Sequence, residues 1–65
     1  MTGEELRQIR ETVGWSMDDL AKIIDKRYNT VWRYEKGVLD IPQLVEIFAL
    51  LIQDKKNRRN VEKYL

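Results

Sequence analysis

The stretch from Ser16 to Gly37, SMDDLAKIIDKRYNTVWRYEKG, leaves a chain of this length few folds to choose from. Ser16 with Asp19 three residues on, and Asp18 beside it, is a strong helix start, because the hydroxyl caps a free N–H and the carboxylates favour the positive end of the helix dipole. Leu20, Ala21 and Ile24 then fall on one face with Ile23 flanking them, and the small Ala21 lets a crossing helix come close. Asp25-Lys26-Arg27 interrupts the pattern. The apolar face returns at Val31 and Tyr34, one turn apart, and Gly37 ends the second helix. Two short helices joined by a turn of three residues make a helix-turn-helix.

The rest of the chain reads as support for that pair. Thr2 and Glu5 form a capping-box pattern that starts a first helix, with Leu6, Ile9 and Val13 as its buried stripe and Arg10 lying among them in need of a partner. Gly14 stops this helix and Trp15 folds back as an apolar plug of the core. After Val38-Leu39, Asp40 is expected to cap a fourth helix, with Pro42 tolerated in its first turn. Leu44, Val45, Ile47, Phe48, Leu50, Leu51 and Ile52 make that helix apolar on more than one face. The surplus predicts a partner surface. Asp54 opens a basic helix or tail, KKNRRNVEKYL, with Val61, Tyr64 and Leu65 near its end.

Composition narrows the chemistry. Sixty-five residues form one domain, which buries only about 60% of the surface of its unfolded chain. With neither cysteine nor histidine, the chain lacks the usual soft metal ligands, thiol nucleophiles and imidazole bases, so no metal and no cofactor is expected. The Glu4-Glu5 and Asp18-Asp19 pairs read as helix caps, with no nucleophile, base or phosphate cradle beside them, and the chain is read as a non-enzyme. Nothing in it reads as a signal peptide, and Leu44 to Ile52 is too short to span a bilayer. The absence of cysteine, and so of disulfide stapling, sets the expectation of an intracellular, cytoplasmic setting.

The net charge is only +1, yet it is segregated. Lys26, Arg27, Arg33 and Lys36 stand against Glu35 in one segment, and Lys55, Lys56, Arg58, Arg59 and Lys63 against Asp54 and Glu62 in another. Such local basic faces suit either a solvated surface or a limited contact with a polyanion.

Across Ser16 to Gly37 the sequence resembles the Cro/Xre-type repressor helix-turn-helix family. Ser16, Leu20, Ala21, Thr30, Val31, Tyr34, Glu35 and Gly37 match its motif in register, and the likeness extends to Leu6, Ile9, Arg10 and Ile41-Pro42. Asp25 stands where the family has a turn glycine, Lys26 and Arg27 replace its apolar and serine positions, and Met17 replaces its usual glutamine. The resemblance implies a compact all-α, lambda-repressor-like domain of four to five helices over residues 1–53, with 54–65 as a basic C-terminal element and a possible dimerisation element.

It also implies a transcriptional regulator, a repressor or autoregulator, that binds double-stranded DNA as a homodimer through the helix at 27–36. On that helix Tyr28, Asn29, Trp32 and Arg33 are the candidate base contacts, since Arg pairs with guanine and Asn with adenine in the major groove. Tyr28 and Trp32, one turn apart, have several readings: stacking on each other, touching thymine methyls, or, for Trp32, anchoring against the fourth helix. Ser16, Met17, Lys26, Arg27 and Lys36 are the candidate phosphate contacts. Arg10 and Glu35 match an ion pair that ties the first helix to the reading helix. Phe48, Leu51, Ile52, Tyr64 and Leu65 are the candidate dimer surface. A protein-binding or antitoxin-like module on the same fold is the rival reading.

Overall fold

The computed structural model describes all 65 residues, as five helices with no strand. They are α1 (Gly3–Thr12), α2 (Met17–Ile23), α3 (Tyr28–Glu35), α4 (Gln43–Leu51) and α5 (Lys55–Glu62). The starts of α1 and α2 are capping boxes: Thr2 and Glu5, then Ser16 and Asp19, each satisfy the other's backbone N–H.

Three successive helices end in the same way. In α1 the N–H groups of Gly14 and Trp15 return to the carbonyls of Glu11 and Arg10, in α2 those of Asp25 and Lys26 return to Lys22 and Ala21, and in α3 those of Gly37 and Val38 return to Tyr34 and Arg33. These are Schellman closures, which need one residue in the left-handed conformation. Gly14 and Gly37 supply it freely at φ 82° and 75°. Asp25 supplies it at φ 57°, so the turn between α2 and α3 keeps the geometry of a glycine turn with a residue that adopts it less readily.

The core is Leu6, Trp15, Leu20, Ala21, Val31, Tyr34, Val45, Ala49 and Ile52. Leu6 and Val31 are fully enclosed, each stabilising the fold by about 1.5–3 kcal/mol. α3 packs on α2 and α1, and α4 packs on α1. Trp15 lies against Phe48, their ring centroids 6.4 Å apart, and its indole N–H donates to Glu62 Oε2 at 2.8 Å. Through that bond, and through Asn57 and Arg58 donating to the carbonyls of Leu51 and Ile52, α5 is docked on the core. Asp54 caps it by accepting from the N–H groups of Lys56 and Asn57.

Two expectations about α4 need correction. Asp40 does not cap it; Pro42 occupies the N-cap position, with no side-chain cap, and the helix begins at Gln43. Ile52 is 3% exposed and belongs to the core, while Phe48 is half-buried against Trp15. Neither presents its side chain freely as a dimer surface. The outward apolar face of α4 is instead Leu44, Ile47, Leu50 and Leu51, and Tyr64 and Leu65 are exposed beyond α5.

Candidate nucleic-acid interface

α3 has an inner and an outer side, and the spacing of its residues decides which is which. Val31 and Tyr34 enter the core, and Thr30 is half-buried beside them. Tyr28, Asn29, Trp32, Arg33 and Lys36 all lie outside. Residues 28 and 32 share one stripe of the helix and 29 and 33 the next, so an aromatic row runs beside an amide and guanidinium row. None of these five side chains makes a hydrogen bond or ion pair within the protein, so Asn29 and Arg33 keep their full donor sets for another molecule.

The inner side is fixed by a buried ion pair. Arg10 Nε donates to Glu35 Oε2 at 2.7 Å and Nη2 to Oε1 at 3.0 Å, while Nη1 donates to the Trp15 carbonyl at 3.0 Å. The fork satisfies both carboxylate oxygens, and the third bond ties the guanidinium to the link between α1 and α2. The side chains are 12% and 4% exposed. Hydrogen bonding to Glu35 raises the Arg10 pKa above its ordinary value, against the opposing effect of burial.

A second contact at the same end has little local sign in the sequence. Gly3, the first residue of α1, passes directly over the last turn of α3: a Cβ there would run into the carbonyl oxygens of Tyr34 and Glu35, with the Glu35 carbonyl carbon 2.7 Å away. Its one hint is that glycine is a poor helix former placed at a helix start. Met1, two residues earlier, is also held, since its amino group donates to Glu46 Oε1 at 2.7 Å and so joins the N-terminus to α4. Both contacts span more than thirty residues of chain, beyond the reach of pattern reading.

The opposite end of α3 is open. Arg27 takes the N-cap position with no side-chain cap bond, and the N–H groups of Tyr28 and Asn29 have no acceptor in the protein. Lys26 and Arg27 are exposed and unpaired beside them, so cationic side chains and the positive end of the helix dipole add together. Across the helix pair, the Ser16 hydroxyl oxygen accepts from the Asp19 N–H while its O–H has no acceptor in the protein, and Met17 is half-buried.

The structure also narrows the readings of the two rings. Tyr28 and Trp32 do not form an aromatic pair with each other; Trp15 and Phe48 are the only such pair. Trp32 is 42% exposed on the outer side of α3. It lines a concavity of about 390 Å³ whose walls come from α1, α2 and α3, with Met17, Arg7, Arg10, Glu35 and Lys36 among them.

No group of side chains that could hold a metal ion is present, and no helix is long and apolar enough to cross a membrane. Residues 6–52, more than half of the chain, match a family model described as helix-turn-helix, which runs from α1 to the end of α4 and leaves α5 outside. No curated protein and no solved structure matches the chain.

Proposed function

Because the chain belongs to the Cro/Xre-type helix-turn-helix family, a family of DNA-binding regulators, we propose that it binds duplex DNA by laying the outer side of α3 in the major groove and thereby represses transcription. The observation that carries this reading is the contrast across α3: an inner side locked by a buried ion pair, and an outer side of amide, guanidinium and aromatic groups with nothing of their own to bind. In this arrangement Arg33 pairs with guanine and Asn29 with adenine, each contributing about 1–3 kcal/mol of discrimination. Lys26, Arg27 and Lys36 flank them and neutralise phosphates. At the α2 corner the Ser16 oxygen accepts from the Asp19 N–H, which leaves its O–H and the backbone N–H groups of Met17 and Asp18 as the donors for a phosphate.

The exposed row Leu44, Ile47 and Leu51 on α4, with Tyr64 and Leu65, is the surface through which two copies pair in this reading. A two-fold dimer then sets its reading helices about 34 Å apart, one turn of DNA. Three phosphate-contacting cations per subunit give six per dimer, which corresponds to a slope of about −5 for log affinity against log salt.

The test is a fluorescence anisotropy titration of duplexes taken from around the protein's own gene, repeated at several salt concentrations. A steep salt slope with preference over random duplex is expected. Arg33→Ala should relax base preference, and Lys36→Ala should weaken all duplexes alike while reducing the slope by about 1 per subunit. No salt dependence and no preference over random DNA would refute the proposal.

A further inference from the structure

The aromatic row has no place in the hydrogen-bonding chemistry of Asn29 and Arg33. Trp32 is 42% exposed, and its ring meets neither another ring nor a cation, while its indole N–H has no acceptor in the protein. The exposed part of the ring is therefore free to meet an apolar group on another molecule.

The surroundings of Trp32 decide what that group is. In its concavity the apolar wall is Trp32 with Met17, and the charged rim consists of Arg7, Arg10 and Lys36 opposite Glu4, Glu11 and Glu35. Two of the three cations are already engaged. Arg7 lies 3.0 Å from Glu4 and 3.9 Å from Glu11, and Arg10 is bound to Glu35, so only Lys36 is unpaired. The three cations and three carboxylates of the rim cancel, so the wall itself offers a phosphate no net attraction beyond the single unpaired Lys36 at its edge. Of the groups a duplex presents in the major groove, the one without charge or hydrogen-bonding demand is the thymine 5-methyl.

We propose that the Trp32 and Met17 wall reads the 5-methyl group of thymine, making Trp32 a specificity-determining residue for the DNA site. The inference rests on the reading that α3 enters the major groove. It adds a base position selected by apolar contact beside those selected by Asn29 and Arg33. Met17, the other apolar side chain lining the concavity, is the second half of the wall.

The test uses duplexes enriched by this protein from a random pool and resynthesised with each thymine singly replaced by uracil, which removes the methyl and leaves every hydrogen-bonding group in place. Uracil at one or two positions per half-site is expected to weaken binding about fourfold, the value of one buried methyl. Trp32→Ala, which keeps the fold because the ring is half outside it, should bind the thymine and uracil forms equally while still preferring the enriched duplex over random DNA. An unchanged melting temperature for Trp32→Ala verifies its fold. Equal binding of every uracil duplex by the native chain, or an undiminished uracil penalty in Trp32→Ala, would overturn the inference and leave the DNA-binding proposal standing. Absence of any salt-dependent duplex binding would overturn both.

Discussion

The two ends of α3 are held by opposite means. At its C-terminal end Glu35 is forked by Arg10, the backbone lies under Gly3, and Gly37 closes the helix in a conformation natural to glycine. At its N-terminal end Asp25 adopts the left-handed conformation that glycine would take more readily, Arg27 stands where a capping oxygen usually sits, and two backbone N–H groups lack acceptors. The difference teaches how a reading helix can be both fixed and responsive. One end sets the angle at which the helix leaves the protein, and the other keeps its donors and cations for the ligand.

If the C-terminal end is the anchor, its removal should dominate stability. Glu35→Ala leaves the Arg10 guanidinium without its carboxylate in a largely buried position, and a loss of about 3–5 kcal/mol is expected in urea unfolding. A loss below about 1 kcal/mol, the range of exposed ion pairs, would break the comparison.

Gly3→Ala comes next. In an open helix this change stabilises by about 0.5–1 kcal/mol, whereas here the added Cβ meets backbone that cannot move aside without shifting α3. Destabilisation of about 1–3 kcal/mol is expected from such overpacking. A gain in melting temperature would show that α1 does not seat the end of α3.

At the open end the sign reverses. Arg27→Ser supplies the missing cap oxygen and removes a cation from the helix N-terminus, so stability should rise by about 0.5–1 kcal/mol while duplex affinity falls. A variant that becomes both more stable and tighter binding would contradict the division of labour between the two ends.

The smallest effect concerns the segment that seats Gly3. Hydrogen bonding to Glu46 raises the pKa of the Met1 amino group above its ordinary value of 8.0. Its contribution is therefore complete below pH 8 and fades as pH climbs through the raised value. Thermal melts should show a shallow decline on the alkaline side that Glu46→Gln removes. An identical decline in that variant would assign the slope to another group.

What the sequence discloses about this molecule follows the range of each interaction. The capping boxes at Thr2 and Ser16, the glycine closures and the inward pair Val31 and Tyr34 are legible because their causes lie within four residues. The partnership of Arg10 with Glu35 came only through resemblance to a family, since nothing in the spacing joins residues 25 positions apart. The seating of Gly3 over α3 and the bond of Trp15 to Glu62 are illegible for the same reason. On α4 the misreading has a different source. Its residues are so uniformly apolar that periodicity does not select a face, and only the packing of Trp15 and the core separates inward Val45, Ala49 and Ile52 from outward Leu44, Ile47 and Leu51. The outer side of α3 was legible as a set of residues, but not the neighbourhood of Trp32, because Met17 and α1 reach it only through the fold.

The two tryptophans make the central claim directly measurable. Trp15 is buried with its indole N–H on Glu62, and Trp32 is open on the outer side of α3. In protein labelled with ¹⁵N at tryptophan, two indole signals result, assigned by their loss in Trp32→Phe. On titration with an enriched duplex, the Trp32 signal should shift to saturation at the duplex concentration that saturates anisotropy, with the Trp15 signal nearly stationary. A duplex that binds while the Trp32 signal stays in place would contradict the account, because the DNA would then lie on some other face of the protein.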